Sequence, residues 1–150
     1  MRSCWKGLAL MKIYFEALDE FKQDYKAELS VFHDVLLNDL RTKKNFKKVL
    51  DGNTPAQVEK TVRVKGKIID MRIVGSSARI WGGAFAGSSF MEVYIKLTDA
   101  AAQKTIKEKV IATHNNAFGA EWSGGSSDRS MPADMGQIVG AYLSAVIPAK

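Results

Sequence analysis

The chain has 150 residues, of which 46% are hydrophobic and 25% are charged, and its formal net charge is +6 at pH 7. This composition is ordinary for a globular protein and argues against an intrinsically disordered chain. A single cysteine excludes an internal disulfide and any multi-cysteine metal site, whereas the positive charge favours either a solvated basic surface or anionic partners.

The N-terminal segment, MRSCWKGLALMK, lacks the features of an export signal. Its apolar stretch between Arg2 and Lys12 is too short for a signal peptide, and Cys4 does not follow the leucine and small residues of a lipoprotein cleavage site. No run approaches the ~18 apolar residues of a membrane-spanning helix. We therefore expect no transmembrane segment, and a single domain over residues 1–150 in which residues 1–9 are flexible.

The first part of the chain predicts a strand, a helix and a short second strand. Leu10–Leu18 is rich in strand formers and apolar on both faces, which is typical of a central strand, and a polar bridge follows at 21–28. A helix is predicted over Tyr25–Lys44, where apolar residues recur at helical spacing. These residues are Leu29, Phe32, Leu36 and Leu40, with His33 and Leu37 on the flank. Phe46–Leu50 predicts an edge strand that ends in a turn at Asp51–Asn53.

The middle of the chain predicts a meander of long antiparallel strands. The strands are expected at Thr61–Val74, Phe90–Thr98 and Lys104–Thr113. In the first of them, Val62, Val64 and Ile68 share one face, but from Ile69 onward the apolar residues move to the other register. Because a slip of one residue reverses which face is buried, we expect a bulge or sharp bend within Gly66–Asp70.

The last element is a helix predicted over Met131–Val146, with Ser130 as its cap and Pro132 in its first turn. Its apolar face is expected to consist of Ile138, Tyr142, Leu143 and Val146. Gly136 and Gly140 each cost ~1 kcal/mol relative to alanine inside a helix, so we expect a close backbone approach to the sheet there. The order of elements predicts an α+β fold, with a mixed, largely antiparallel sheet of four to five strands and two helices packed on one face.

A glycine-rich connection runs between the first two long strands. It lacks the lysine and the serine or threonine of a phosphate loop, and its glycine spacing does not match the dinucleotide-binding pattern. We predict that the connection is either a mobile linker or a contact surface for a partner. The residues expected to form that contact are Trp81, Gly82, Gly83, Phe85 and Gly87.

No catalytic, cofactor or metal site is predicted in this chain. His33 and His114 have no carboxylate or thiol at metal-ligand spacing, so each is expected to be a surface or hydrogen-bonded histidine. The serines lie in clusters without a nucleophile-elbow pattern. Asp70, at the expected register change, is either a buried functional carboxylate or a hydrogen-bonding group at a bend. We therefore expect that the protein is not an enzyme and uses no cofactor.

Alternating cations form the clearest charge pattern of the predicted sheet. Arg63, Lys65 and Lys67 share one strand face, and Lys107 and Lys109 lie on another strand. Together they predict a basic patch on the exposed sheet face, which is either solvated or binds an anionic surface or a nucleic acid. An RNA-binding sheet also needs interleaved aromatic residues, and nothing like the ribonucleoprotein motif is present.

The meander is similar to a known protein family. The stretch VKGKIIDMRIVGSSARIWGGAFAGSSFMEVYIKLTDAAAQKTI, followed by a glycine- and serine-rich loop and IVGAYLSAV, resembles the bacterial domain-of-unknown-function family 4410. In that family a strand ends in glycine, an arginine-containing glycine-rich segment follows, and a turn joins Asp and Ala to Gly-Lys. Here alanine or glutamine replaces the turn glycine within Thr98–Lys104. KIYFEALDEF and VFHDVLLNDL also fit, so the resemblance covers nearly the whole chain.

The resemblance implies a bacterial cell-envelope protein, often a lipoprotein, on the periplasmic side of the outer membrane. Since no export signal is visible, a cytoplasmic location is the alternative. The element order is similar to the α/β domain shared by the curli secretion channel and the N-terminal domain of TolB, which implies, by analogy, an assembly or binding module.

Three hypotheses for function are carried forward. The first is a non-enzymatic envelope interaction or assembly module, with a protein partner or self-association through the glycine-rich connection and the exposed sheet face. The second is polyanion or nucleic-acid binding through the basic sheet face. The third is an enzyme with an unrecognised site, which requires a pocket that gathers Asp70, Glu92 or His114.

Overall fold

A computed structural model describes residues 10–43, 48–52, 61–75, 82, 89–100, 102–114 and 126–146. The elements in these ranges are β1 (Leu10–Ala17), α1 (Asp19–Asp24), α2 (Lys26–Lys43), β2 (Lys48–Asp51), β3 (Thr61–Arg72), β4 (Phe90–Asp99), β5 (Lys104–His114) and α3 (Ser126–Val146). Within these ranges, no helix is long and apolar enough to cross a membrane. The α+β class and the predicted order of its main elements are confirmed.

The five strands form one mixed sheet in the order β2-β1-β3-β4-β5. β1 pairs in parallel with both β2 and β3, whereas β3, β4 and β5 form the predicted antiparallel meander. The parallel pairing of β1 and β2 requires a crossover connection, which α1 and α2 provide. The first predicted strand is therefore central, and the second is an edge strand, as expected.

The hydrophobic core lies between one face of the sheet and the helices α2 and α3. The sheet contributes alternate buried residues, which include Met11, Ile13, Val62, Val64, Ile68, Met91, Val93, Ile95 and Leu97. The predicted apolar face of α2 is buried against them through Phe32, Leu36, Leu37 and Leu40. The opposite side of the sheet, which the helices do not cover, is called the open face below.

A bulge interrupts β3 at the predicted position. The pairing register with β4 shifts between Ile68 and Asp70. Ile68 and Met71 are buried on the helix-covered face, whereas Ile69 and Asp70 are both exposed on the open face. The extra residue therefore keeps apolar side chains in the core on both sides of the bulge.

The segment expected to be a polar bridge is partly helical. Asp19–Asp24 forms α1, whose acidic first turn suits the positive end of a helix dipole. Phe21 is buried, and its carbonyl accepts a hydrogen bond from the N–H of Tyr25 at 2.8 Å. The sequence does not predict this helix, because only one of its side chains reaches the core and no apolar periodicity results.

The C-terminal helix begins before the predicted start at Met131, since α3 already begins at Ser126. Ser130 is therefore inside the helix, and its hydroxyl donates to Asp134 at 3.0 Å instead of capping the N-terminus. Pro132 likewise lies beyond the first turn. The prediction of a C-terminal helix from Ser130 and Pro132 is therefore confirmed, but its predicted first residue is wrong.

A buried polar link accounts for the early start of α3. Asp128 in the first turn is completely buried and accepts a 2.5 Å hydrogen bond from the Ser89 hydroxyl. The same hydroxyl accepts the N–H of Val74 at 2.9 Å. The link joins the residues after β3, the residue before β4 and the first turn of α3.

Gly136 and Gly140 face α2 and not the sheet, contrary to the prediction. A Cβ on Gly136 would lie 2.9 Å from the carbonyl oxygen of Phe32, and a Cβ on Gly140 would lie 2.1 Å from Oδ2 of Asp39. The glycines therefore permit close contact between two helices. The buried residues of α3 are Met131, Met135, Val139 and Leu143. Ile138, which was expected to be buried, is 41% exposed.

Candidate functional site

The predicted basic residues of β3 lie together on the open face. Arg63, Lys65 and Lys67 alternate with residues that are buried on the helix-covered side. Lys107 and Lys109, by contrast, pair with Leu97 and Ile95, whose side chains point to that covered side. Directly opposed residues in an antiparallel pair share a face, so the prediction that all five cations form one patch is wrong.

The open face instead gains a lysine from β4. Lys96 is the direct cross-strand partner of Lys65. The Lys65 side chain is 54% exposed, and its ammonium lies 4.0 Å from a carboxylate oxygen of Glu16 on β1. Like charges directly opposite one another destabilise a sheet by roughly 0.2–1 kcal/mol. We call Lys65 and Lys96 the cationic pair.

The bulge creates a second like-charge pair on the same face. Because Ile69 and Asp70 both project outward, Asp70 becomes the direct partner of Glu92 on β4. We call Asp70 and Glu92 the acidic pair. Among the ion pairs in the described part of the chain, none includes Lys96, Asp70 or Glu92. The two pairs are therefore of opposite sign and lie ~13 Å apart along β4, at about 3.3 Å per residue.

An apolar and aromatic band separates the two charged pairs. Lys67, Tyr94 and Val110 are in register across β3, β4 and β5, and Ile69 lies beside them. Val110 is 51% exposed and Ile69 is 37% exposed. The Tyr94 hydroxyl donates to Glu108 at 2.7 Å. This hydrogen bond, with smaller contributions from desolvation and from the charge of Glu108, raises the pKa of Tyr94 above its usual value.

The contact surface predicted on the glycine-rich connection falls mostly outside the described residues. Gly82 is described and is half-buried. Trp81, Gly83, Phe85 and Gly87 lie outside the described ranges. Their role in contacting a partner stays a prediction.

The groups proposed for an unrecognised enzyme site do not line a pocket together. Asp70 faces Glu92, whereas His114 pairs with Phe90 at the end of β5. None of these residues lines the cavity at the ends of β1 and β2 or the smaller cavity beside Val31 and Pro132. Asp70 is also exposed, so its interpretation as a buried functional carboxylate is wrong.

The larger of these cavities has a volume of about 430 Å³ and lies where β1 and β2 end. Its walls include the apolar residues Phe15, Ala17, Leu29, Phe32 and Ile68. The carboxyl ends of neighbouring parallel strands are a common location for ligand sites in sheets flanked by helices. The sequence did not predict this cavity, because the parallel pairing that forms it depends on the crossover through α2.

Two phenylalanines form an aromatic wall in the cavity. The rings of Phe15 and Phe32 meet edge to face, with centroids 5.3 Å apart and an interplanar angle of 84°. Gly66 is the cross-strand partner of Phe15, and a Cβ there would lie 2.1 Å from the ring. The absence of a side chain at Gly66 therefore makes room for Phe15.

A histidine–carboxylate contact forms part of the cavity rim. Nε2 of His33 on α2 lies 2.9 Å from Oδ2 of Asp51 at the end of β2, and their side chains are 28% and 49% exposed. Gly52 follows with φ of 131°, a region that favours glycine, and its N–H donates to the carbonyl of Ile13 at 2.9 Å. The expectation of a hydrogen-bonded histidine at His33 is confirmed, although its partner was not predicted.

Comparison with known proteins gives a family and a fold. The family described as a domain of unknown function (DUF4410) matches residues 16–141. No curated protein matches the chain significantly.

Solved structures with different descriptions have a similar fold. The PelC dodecamer from Paraburkholderia phytofirmans is 13% identical with a TM-score of 0.54, over 87% of this chain and 86% of that one. Protein XCC0632 from Xanthomonas campestris, of family DUF330, is 6% identical with a TM-score of 0.58, over 95% and 88% of the two chains. A hypothetical protein from Chlamydia trachomatis is 10% identical with a TM-score of 0.50, over 91% and 99%. At these identities the likeness shows the fold alone.

Proposed function

The chain belongs to the DUF4410 family, and from this premise we propose that it is a non-enzymatic module of the bacterial cell envelope that assembles with further copies of itself. The observation that carries the proposal is the charge pattern of the open face, where the cationic pair and the acidic pair lie on either side of an apolar band. The similar fold of PelC, which forms a dodecamer, supports self-association.

The acidic pair is unfavourable in an isolated chain, whereas the cationic pair is partly balanced. Asp70 opposes Glu92, whose partner on β5 is the uncharged Ala112, while Lys96 also lies opposite Glu108 and Lys65 lies 4.0 Å from Glu16. A like-charge pair costs roughly 0.2–1 kcal/mol before such balancing. A surface that offers the opposite charges at the same spacing would turn both repulsions into attractions, and a second copy of the same face is such a surface.

A two-fold axis brings the complementary charges together. When two open faces pack against each other around an axis that crosses β4 near Tyr94, the strand direction reverses across the contact. The cationic pair of the first copy then lies over the acidic pair of the second. By symmetry, the acidic pair of the first copy lies over the cationic pair of the second. Such an isologous contact is the usual basis of a dimer.

The band between the pairs supplies apolar area at the centre of this contact. Val110 and Ile69 are among the most exposed large apolar residues of the described chain. Tyr94 is held in place by its hydrogen bond to Glu108. Aromatic and aliphatic residues at the centre and charges at the rim are the usual arrangement of a protein interface. Lys67 lies near the axis, and its cross-strand neighbour Glu16 lies 4.0 Å from Lys65.

The cell-envelope location rests on the family. The periplasmic side of the outer membrane is the proposed site of action, as the family resemblance implies. Fractionation of cells that express the native gene tests this part separately, because recovery in the cytoplasm would contradict the location without touching the argument for self-association.

Charge reversal tests the self-association directly. We expect sedimentation of the unaltered chain to show dimers or larger species that weaken with added salt, since screening reduces exposed charge contacts. Lys65→Glu with Lys96→Glu makes both charged pairs acidic, and Asp70→Lys with Glu92→Lys makes both pairs cationic. Each double variant should be monomeric alone, and an equal mixture of the two should form a one-to-one complex.

A matched control changes the same charge on the other side of the sheet. Lys107→Glu with Lys109→Glu alters the net charge as much as the acidic variant does, but these residues lie on the covered side, so association should not change. A strictly monomeric native chain, or a mixture of the two double variants that does not combine, contradicts the proposal.

Polyanion binding through Arg63, Lys65, Lys67 and Lys96 is the second candidate. The direct opposition of Lys65 and Lys96 favours it, because an anion between them would remove their repulsion. The acidic pair on the same face opposes any extended polyanion. We expect single-stranded nucleic acid to bind weakly at low salt and not at physiological salt. Tight, salt-resistant binding that is lost in the Lys65→Glu, Lys96→Glu variant would favour this second function.

A further inference from the structure

The cavity at the ends of β1 and β2 shares only Glu16 with the self-association contact proposed above. We propose that it is a binding site for a small aromatic amine. Its volume of about 430 Å³ falls in the range of small-molecule sites, ~300–1,000 Å³. Such sites combine apolar walls with a few polar groups that orient the ligand, and this cavity has both.

The apolar part of the cavity suits an aromatic ring. Phe15 and Phe32 are already arranged edge to face, with centroids 5.3 Å apart, so a ligand ring extends an existing aromatic contact. Aromatic pairs prefer edge-to-face or offset geometry at centroid distances of ~4.5–7 Å. Leu29 and Ile68 complete the apolar wall.

The polar groups of the cavity suit a cationic, hydrogen-bond-donating head. Asp51 supplies carboxylate oxygens, and its side chain is 49% exposed. Glu16 also lines the cavity, with one carboxylate oxygen 4.0 Å from the Lys65 ammonium. His33 engages one oxygen of Asp51, and a carboxylate can accept further hydrogen bonds. Lys22 is the lysine of the cavity lining; its side chain is 59% exposed, and its ammonium lies 3.8 Å from Asp19 outside the cavity. The lining therefore holds two carboxylates and one lysine, in a chain whose net charge is +6.

Three probe compounds distinguish the contribution of the aromatic wall from that of the carboxylates. We expect titration of the nitrogen-15-labelled chain with phenethylamine to give saturable chemical-shift changes in residues of the cavity lining. Phenylacetate has the same ring and the opposite charge, and hexylamine has the charge without the ring. Each should bind at least about tenfold more weakly, because each lacks one of the two contacts.

Variants of the lining locate the site. Asp51→Asn should weaken phenethylamine binding about tenfold by removing a charge-assisted hydrogen bond. Ser30→Trp places a large side chain at an exposed helix position on the cavity rim, so it should abolish binding without removing a core contact. Asp24→Asn removes an exposed carboxylate that does not line the cavity, and binding should be unchanged.

Three results would overturn the assignment. These are a native chain with no saturable response, equal affinity for phenylacetate, or normal phenethylamine binding in the Ser30→Trp variant. Thermal unfolding of every variant establishes that the protein titrated is folded. If Asp51→Asn does not fold, phenethylamine binding by the Ser30→Trp variant decides whether the cavity is the binding site.

Discussion

The two faces of the central strands differ in what holds their residues in place. On the helix-covered face, β4 presents Met91, Val93, Ile95 and Leu97, all completely buried. On the open face the same strand presents Glu92, Tyr94 and Lys96, which lie opposite residues that repel or only partly balance them. Folding explains the first face fully. The second face carries charge arrangements that folding does not require, and it is therefore the better guide to function.

The largest expected difference between the faces comes from side-chain truncation. Ile95→Ala creates a cavity in the core and should lower the free energy of unfolding by ~2–5 kcal/mol. Val110→Ala, on the open face of the neighbouring strand β5, should change it by less than ~0.5 kcal/mol in the monomer. Urea denaturation of dilute samples measures both, and similar losses for the two variants would contradict the division into two faces.

A glycine substitution in β3 tests how tightly the covered face is packed. Gly66→Ala places a methyl group against the Phe15 ring on the covered face, which should cost ~1–3 kcal/mol. Gly75→Ala is the matched control, since a Cβ there meets nothing within 4 Å. Thermal unfolding of the two variants should show a lower melting temperature for Gly66→Ala alone.

Neutralising one member of the acidic pair should raise the free energy of unfolding. Glu92→Gln removes the repulsion with Asp70, and its partner on β5 is the uncharged Ala112, so the monomer should be stabilised by roughly 0.2–1 kcal/mol at low salt. The gain should shrink as salt is added. Lys96→Gln is the comparison and should gain less, because Lys96 lies opposite both Lys65 and Glu108. Destabilisation by Glu92→Gln under dilute conditions would show that the acidic pair is compensated within the chain.

The smallest effect concerns the pH dependence of Tyr94. Its pKa is raised chiefly by the hydrogen bond to Glu108, so the protonated hydroxyl is favoured in the folded state. The resulting stabilisation is fully present below the usual tyrosine pKa and is lost as the pH rises through the raised pKa. Glu108→Gln should move the tyrosinate absorbance transition of Tyr94 to lower pH, with Tyr94→Phe identifying that transition. An unchanged transition would contradict the contact.

An element of this fold is predictable from the sequence when one of its sides is buried, because burial imposes a periodic pattern of apolar residues. Alternation in β4 and helical spacing in α2 follow from contact with the core, and the bulge follows because apolar residues change register at Ile69. β5 has exposed residues on both sides, so its sequence does not show that Lys107 and Lys109 point to the covered face. The contact between Gly140 and Asp39 likewise depends on where α2 packs, and no local sequence pattern predicts that position.

The candidate sites depend on pairings between distant segments. Asp70 was recognised, but its opposition to Glu92 requires the bulge and the β4 register together. His33 meets Asp51 only because β2 pairs in parallel with β1 and packs against α2. The sequence supplies the chemistry of these groups, whereas the topology decides which of them meet.

The position of β5 at the end of the sheet limits how large an assembly can become. Its outer side is an unpaired strand edge among the described elements, and an edge of this kind can recruit further strands into a fibre. Lys104, Lys107 and Lys109 are spaced along it, so another copy that added there would bring like charges together. Addition of further copies at this edge is therefore disfavoured.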